Sequence, residues 1–238
     1  MLATLATAGA LTLAAGGYAY AAMWPTSQIF GRAIIGGPDA REFALTYDDG
    51  PNDPYTQQLL DVLAEHNVRA TFFLIGRFVR QRPDIARAIH AAGHLVGNHT
   101  MTHPVLLFQS PRRVLDELKN CNAAIEDALG GPVRYFRPPH GARRPDVLRT
   151  ASHLGLKPVL WNAMGYDWKP TTAEAVLANL QKGIRRNQHR GIGSNLLLHD
   201  GGQTGIGQDR SHSVTATASL LRSARYEGIR FVTADAWG

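Results

Sequence analysis

Residues 43–51 read FALTYDDGP, an apolar run that ends in two adjacent carboxylates and a Gly-Pro pair. The run Phe43–Tyr47 is short and rich in strand-forming residues, so it predicts a buried β-strand. Asp48 and Asp49 come where this strand ends. Adjacent carboxylates repel one another unless a cation or a base compensates, so we expect a positive group beside them. On its own, the Asp-Gly-Pro sequence would indicate only a turn.

Short apolar runs alternate with longer amphipathic runs along the rest of the chain. Strands are predicted at Phe43–Tyr47, Ala70–Ile75, His94–Asn98, Val133–Phe136, Pro158–Asn162, Asn195–Leu198 and Arg230–Thr233. Helices are predicted at about Thr56–His66, Pro83–Ala92, Ser110–Leu129, Pro145–Leu154, Thr172–Arg186 and Val214–Glu227. Parallel strands need long crossover connections, so this alternation predicts a parallel sheet covered by helices.

The polar residues that follow the strands separate two parallel architectures, an open doubly wound sheet and a barrel. No Gly-x-Gly-x-x-Gly follows any predicted strand, so the dinucleotide-binding form of the open sheet lacks its phosphate loop. Polar clusters follow several different strands, which is typical of a barrel whose site lies at the carboxyl ends. We therefore predict an α/β fold, a distorted and incomplete (β/α)7 barrel in a single domain at residues 42–238, after a linker at residues 25–41.

Charge and cysteine content exclude several classes of protein. The 238 residues carry 25 Lys and Arg against 19 Asp and Glu, a net charge of +6, without a basic block. We therefore predict no nucleic-acid partner. The single cysteine, Cys121, lies on an apolar helical face with Val114, Leu118 and Ile125, which excludes an intramolecular disulfide and a cysteine zinc motif.

Residues 1–24 contain no charged side chain and are rich in Ala, Leu and Gly. We predict a signal peptide or membrane anchor, and hence an exported protein of the cell envelope that is periplasmic, membrane-anchored or secreted. Ala19 and Ala21 offer a small-x-small cleavage pattern, but a basic amino-terminal region is missing. About 20 residues also suffice to span a bilayer, which leaves possible membrane attachment open. The alternative is a disordered cytoplasmic arm.

Two histidines four residues apart, His99 and His103, follow the third predicted strand. Two imidazoles at this spacing can converge on one ion if the intervening residues form a single turn. A second pair, His90 and His94, has the same spacing but lies at the amino end of that strand. Only the pair at the carboxyl end can face the two adjacent aspartates of a barrel.

Three further clusters follow the fourth, fifth and sixth predicted strands. They are Arg137-Pro-Pro-His140-Gly, Asp167-Trp168 and Leu197-Leu-His199. Singly, they fit a surface arginine, a core tryptophan and a buried apolar run. Five clusters at strand ends of one barrel are harder to attribute to independent turns, so together they indicate a functional site.

In this order the clusters resemble the five motifs of the polysaccharide deacetylase family, also called the NodB homology or carbohydrate esterase 4 family. The matching sequences are Tyr-Asp-Asp-Gly-Pro, His-x-x-x-His, Arg-Pro-Pro-x-Gly, Asp-Trp and Leu-x-His, and Asp209-Arg210-Ser211 is similar to members after the last motif. The similarity covers roughly Glu42–Ala236. It implies the NodB-like form of the barrel.

The resemblance also implies a metal-dependent active site. Asp49, His99 and His103 would bind one divalent metal ion, most commonly Zn²⁺. Asp48 would be the general base and Arg137 its ionic partner.

A second set of residues would complete the reaction and bind substrate. His199 would be the general acid, tuned by Asp167, while Trp168 and Leu197 would line the groove and the pocket for the acetyl methyl group. The residue after the two prolines, often tyrosine in the family and here His140, would offer its backbone N–H to the oxyanion.

We therefore predict a metal-dependent hydrolase that removes N-acetyl groups from a carbohydrate. The substrate would be a GlcNAc-containing polysaccharide, such as peptidoglycan or a chitin-like glycan, or a glycolipid. Alternatives are an O-acetyl xylan esterase, another hydrolase of non-peptide C–N bonds on the same scaffold, and a catalytically silent glycan-binding module. A serine hydrolase is disfavoured because no Gly-x-Ser-x-Gly occurs.

Overall fold

The structure is a computed structural model that describes residues 15–224 and 228–238. Its strands are β1 (Glu42–Gly50), β2 (Thr71–Leu74), β3 (Leu95–Asn98), β4 (Tyr135–Phe136), β5 (Lys157–Pro158), β6 (Ala163–Met164), β7 (Ser194–His199) and β8 (Arg230–Phe231). Its helices are α1 (15–23), α2 (Tyr55–Glu65), α3 (Gly76–Gln81), α4 (Pro83–Ala91), α5 (Pro111–Leu129), α6 (Pro145–His153), α7 (Ala173–His189) and α8 (Ser211–Ala224).

The strands form one parallel sheet in the order β5-β4-β3-β2-β1-β7-β6, and β8 pairs with the start of β1. The sheet curls into an incomplete barrel with helices around it, which confirms the predicted fold class. β1 is central, with a neighbour paired to each of its edges, and it is buried from Phe43 onward. This position explains why its sequence is a nearly continuous apolar run.

The barrel is open between β5 and β6, which do not pair within the described residues. Part of the predicted linker lies in this opening. Ile34 N donates to Pro158 O at 2.9 Å, Leu160 N donates to Ile34 O at 2.8 Å, and Gly193 N donates to Gly37 O at 2.8 Å. The segment therefore packs against the domain, while the linker boundaries remain a prediction.

Helix α5 shows how the local sequence sets an element. Ser110 caps its start by accepting from Arg113 N at 3.2 Å, and Gly130 ends it in the left-handed conformation, with φ 72°. Its apolar face is buried against the sheet, as predicted, and includes Cys121. Burial raises the pKa of that thiol to about 12, so Cys121 is a core residue.

Several boundaries differ from the sequence prediction. Helix α3 was not predicted, and the single strand predicted at Pro158–Asn162 is instead two short strands, β5 and β6, on either side of residues 159–162. β8 ends at Phe231, two residues before the predicted end. Helix α8 begins at Ser211, and its predicted end at Glu227 lies outside the described residues.

Residues 1–14 of the predicted amino-terminal targeting segment also lie outside the described residues. Across residues 15–224 and 228–238, no helix has the length and apolar character needed to cross a bilayer.

Candidate active site

The predicted site residues meet at the carboxyl ends of the strands, around a cleft of about 370 Å³. Eight of the ten line this cleft: Asp48, Asp49, His99, His103, His140, Trp168, Leu197 and His199. The other two, Arg137 and Asp167, are fully buried behind it, in contact with Asp48 and His199 respectively. The structure thus brings all ten together.

The local backbone lets adjacent aspartates face the same cleft. Successive side chains of a regular strand point to opposite faces. Here the β1–β2 register shifts between Asp48 and Gly50, and Asp49 has a φ of 73°. This irregularity turns both carboxylates into the cleft.

Positive φ angles at non-glycine residues are concentrated in the site loops. Five of the six such residues in the described chain lie there: Asp49, Thr100, His103, His140 and Tyr166. This conformation is disfavoured for residues with a Cβ and persists only where the surrounding structure holds it. The strain therefore marks these loops as functional rather than merely connecting.

Asp49, His99 and His103 form a centre suited to a divalent cation. Their ligand atoms all lie within 4.8 Å of one another, and Asp49 Oδ1 is 3.4 Å from His99 Nε2 and 3.1 Å from His103 Nε2. His99 Nδ1 donates to Arg137 O at 2.8 Å, and His103 Nδ1 donates to the Gln203 side-chain oxygen at 2.7 Å. Both Nε2 lone pairs are therefore directed at the carboxylate.

The donor atoms at this centre also suit a cation. Asp49 Oδ1 is buried and has no hydrogen-bond partner among the described residues. An ionised carboxylate and two imidazole nitrogens are a donor set that fits zinc and similar divalent metals. The residues present therefore fit a metal ion.

Arg137 fixes the second aspartate, Asp48. Arg137 Nη1 donates to Asp48 Oδ1 and to Thr46 Oγ1, each at 2.8 Å, and its guanidinium lies 4.3 Å from the centre of the Phe73 ring. Burial lowers the pKa of Arg137, but Asp48 opposes this effect. Because Oδ1 is held by the arginine, Asp48 Oδ2 faces the cleft, 3.7 Å from His99 Nε2.

His199 and Asp167 form a second buried ion pair. His199 Nδ1 donates to Asp167 Oδ1 at 2.8 Å, and Asp167 Oδ2 accepts from His199 N and Ser213 Oγ, both at 2.7 Å. Burial would lower the pKa of His199, but Asp167, followed by Asp49 and Asp48, outweighs it and raises the pKa to about 9. The pKa of Asp167 is lowered, because His199 and these hydrogen bonds outweigh its burial. The imidazolium therefore presents Nε2–H to the cleft at neutral pH.

Comparison with known proteins agrees with this geometry. The family model for polysaccharide deacetylase matches residues 36–159. The chain belongs to the polysaccharide deacetylase family. It is 42% identical over 166 residues to a chitooligosaccharide deacetylase of Sinorhizobium fredii, covering 69% of this chain and 74% of the relative. It is 34% identical over 192 residues to a peptidoglycan-N-acetylglucosamine deacetylase of Bacillus cereus, covering 80% of this chain and 84% of the relative.

Solved structures of the family share the fold. A peptidoglycan N-acetylglucosamine deacetylase superposes with a TM-score of 0.77 at 30% identity, over 86% of this chain and 91% of that chain. A carbohydrate esterase 4 pseudoenzyme from Bacillus anthracis gives 0.76 at 27% identity, over 86% of this chain and 68% of that chain. Because the fold of a pseudoenzyme is this similar, the fold alone does not distinguish an active enzyme from an inactive one. The side chains of the cleft make that distinction.

The three residues predicted to bind substrate lie at the rim and floor of the deacetylase cleft. His140 has a φ of 58° in the turn Pro139–Gly141, and its ring lies 4.8 Å from that of His103. Trp168 is 42% exposed, with its ring 5.4 Å from that of His199. Leu197 is buried beside the cleft. Burial, and then the neighbouring imidazoles, lower the pKa of His140, so its side chain is neutral at pH 7.

The decoy histidine pair has a structural explanation. His94 is buried, and its Nδ1 accepts from Ala70 N at 3.1 Å. Burial lowers the pKa of His94 to about 4, which keeps the ring neutral. His94 is thus a core histidine whose hydrogen bond is satisfied, and His90 is exposed on α4.

Sequence reasoning missed several residues that support this deacetylase site. Gln203 orients His103, and Ser213 donates a hydrogen bond to Asp167. Neither residue lies in one of the five motifs. Ser213 follows Ser211 by two residues, but a serine at that position gives no signal in the sequence. Trp161 lines the cleft, although its apolar surroundings had indicated only a strand.

Asn52 was also missed. Its amide donates to Asp200 O and Gln208 O, each at 2.9 Å, and its side-chain oxygen accepts from Gly207 N at 2.6 Å. Asn52 thereby ties the loop after β1 to the loop after β7.

Proposed function

We propose that this protein is a metal-dependent deacetylase that removes N-acetyl groups from a GlcNAc-containing glycan of the cell envelope. One observation carries the proposal. Two buried ion pairs, Asp48–Arg137 and Asp167–His199, reach the same cleft from different strands on either flank of the Asp49-centred metal ligands. The named activities of the relatives support peptidoglycan and chitin-like oligosaccharides as the first substrates to test.

Metal chemistry and acid–base chemistry are divided between separate residues. Asp49, His99 and His103 would hold the ion, which we propose to be Zn²⁺. When bound, the ion supplies Lewis acidity, which acidifies a water molecule and polarises the acetyl carbonyl. Three protein ligands leave coordination positions open for this purpose.

Asp48 would act as the general base. Its Oδ1 is held by Arg137, so its Oδ2 is the atom that takes the proton from the attacking water. The buried guanidinium is the positive group that pairs with this carboxylate. The five polar contacts of Arg137 fix the direction of this carboxylate.

His199 would act as the general acid. A pKa of about 9 keeps the ring protonated at neutral pH, and Nε2–H would pass its proton to the leaving amine nitrogen. After the transfer, Nδ1–H still donates to Asp167, so the ring keeps its orientation. A positioned acid or base of this kind contributes roughly 10²- to 10⁴-fold in rate.

The substrate groups follow from the shape of the cleft. The exposed ring of Trp168 offers an apolar surface of the kind on which sugar rings stack. Leu197 would contact the acetyl methyl group. The backbone N–H of His140 would donate to the carbonyl oxygen as negative charge develops on it.

A catalytically silent module is disfavoured by the same residues. Such a protein would be expected to have lost part of its acid–base set. Here Asp48, Arg137, Asp167 and His199 are all present and paired. The apolar, uncharged residues 1–24 support our further proposal that the enzyme is exported to the cell envelope.

Paired variants test the assignment. Asp48→Asn should retain bound zinc, measured by elemental analysis, and lose acetate release by about 10²-fold or more. His99→Ala should lose both zinc and acetate release. His90→Ala, at the exposed decoy histidine, is the matched control and should retain both. Near-normal acetate release from Asp48→Asn would show that the base assignment is wrong.

A further inference from the structure

Helix α1 is joined to the catalytic domain by a buried arginine. Arg143 is 1% exposed; its backbone N donates to Ala22 O at 3.0 Å, and its Nη2 donates to Trp24 O at 2.9 Å and Ser27 O at 2.6 Å. Ala22 is itself buried against the domain. The end of α1 is therefore held in a fixed position, unlike a free tether.

Helix α1 and the residue that follows it expose large aromatic side chains on more than one side of the helix. Tyr18, Tyr20 and Trp24 are 49%, 48% and 56% exposed, and the rings of Tyr20 and Trp24 stack at 6.1 Å. Ile29 nearby in the chain is 67% exposed. Exposed aromatic groups of this size mark interaction surfaces, and Tyr and Trp are the side chains enriched where a bilayer meets water.

One of these aromatics, Tyr18, lies beside a groove rimmed with cations. The ring of Tyr18 lies 5.1 Å from that of Phe30, which lines a groove of about 380 Å³. The groove also contains Arg32, Arg149 and Lys157, all exposed, above an apolar floor that includes two leucines and two prolines. Its lining includes no acidic residue, and these cations make none of the ion pairs found within residues 15–224 and 228–238.

We propose that α1, with Tyr18, Tyr20 and Trp24 around it, enters the headgroup layer of an anionic lipid bilayer while the adjacent cationic groove docks on that layer; α1, these aromatics and the groove are called the docking surface below. The rings lie at the level of the headgroups, and the three cations of the groove contact lipid phosphates. The chain leading into α1, MLATLATAGALTLA at residues 1–14, is apolar and uncharged, which favours a lipid surface over a protein partner. The proposal requires that Tyr18 and Tyr20 remain in the mature protein.

Arg143 connects the docking surface to the cleft rim. Arg143 Nη1 also donates to Gly141 O at 2.9 Å, in the turn that carries His140. A bilayer bound at α1 would therefore set the position of the cleft rim relative to the membrane. Binding itself is independent of deacetylation, so its failure and the failure of the proposed function are distinguishable.

Flotation of the full-length chain with vesicles tests whether the cations of the groove contribute to lipid binding. Vesicles of phosphatidylcholine with about 30% phosphatidylglycerol should bind the protein more tightly than phosphatidylcholine alone, and added salt should weaken the binding. Each cation near such a surface is worth about fivefold in partitioning, so Arg32→Gln, Arg149→Gln and Lys157→Gln together should reduce partitioning on the order of 100-fold.

A charge-matched control removes two exposed cations of α7 and the exposed arginine that follows it, by Lys182→Gln, Arg185→Gln and Arg190→Gln. It should bind like the natural chain. An equal loss in both triple variants would show that only net charge matters and would overturn the proposal.

Bromolipid quenching of tryptophan fluorescence tests which part of the protein contacts the bilayer. Quenching should be largely lost in the Trp24→Phe variant. It should be retained in the Trp168→Phe variant, because Trp168 lies at the cleft. The reverse result would place a different face at the membrane. Loss of lipid binding together with concentration-dependent self-association would assign the surface to a second copy, and a mature protein that begins after Tyr20 would likewise overturn the proposal.

Discussion

The charge of Asp167 should control the pH range in which the enzyme works. In the natural chain Asp167, followed by Asp49 and Asp48, raises the pKa of His199 to about 9 against the effect of burial. Asp167→Asn removes the largest of these charges and leaves burial in place. We therefore expect the pKa of His199 to fall toward its ordinary value of 6.5.

The size of the effect follows from the protonated fraction of His199. With a pKa of about 9, about 99% of the rings carry the acid proton at pH 7; with a pKa of 6.5, only about a quarter do. Activity that requires the imidazolium is lost as pH rises through its pKa. The alkaline limb of the kcat/KM profile should therefore move down by as much as about two pH units, with up to about a fourfold loss at pH 7 from protonation alone.

The assay is acetate release between pH 5 and 10, with bound metal quantified at each pH. Ser213→Ala is the matched control, because it removes one hydrogen bond from Asp167 and keeps the charge. It should leave the alkaline limb close to that of the natural enzyme. An Asp167→Asn variant whose alkaline limb stays near pH 9 would refute the pairing of His199 with Asp167 as the source of the acid.

Other side chains give predictions of different kinds. Asn52→Ala removes three hydrogen bonds between two site loops and should lower the free energy of unfolding by about 3 kcal/mol in urea titrations, with full stability as the contradicting result. Arg137→Lys keeps the positive charge but loses the planar set of guanidinium donors, and it should lower the free energy of unfolding by at least about 3 kcal/mol in the same assay. A smaller loss of stability would mean that the charge alone suffices. His140→Tyr keeps the backbone donor and should change kcat less than about threefold, since only the side chain differs; a 10²-fold loss of kcat would assign the imidazole itself a role.

Much of the site was predictable because its residues follow strands. A run such as FALTYDDGP shows both where a buried strand lies and where its polar end begins, and parallel strands bring such ends to one edge. The same polarity argument separated His99 and His103 from His90 and His94, and the structure agrees, since His94 is a core residue.

What the sequence could not predict depends on contacts between distant segments. The six-residue helix α3 is too short to show a helical period. Residues 158–162 were predicted as one strand because a buried apolar sequence is the same whether it forms one strand or connects two. In the structure Ile34 pairs with Val159 inside this segment, and Trp161 lines the cleft. Gln203 lies in a glycine-rich loop, and only the folded chain brings it to His103.

The central claim is metal-dependent release of acetate from a glycan. The most direct measurement incubates the metal-loaded, purified protein with chitin oligomers, peptidoglycan, acetylated xylan and an N-acetylated glycolipid, before chelation, after chelation and after Zn²⁺ is restored. We predict acetate from an N-acetylated glycan, its loss with chelator and its return with zinc. Chelator-sensitive acetate from xylan alone would contradict the N-deacetylase assignment, and its absence from all four substrates would contradict the deacetylase account itself.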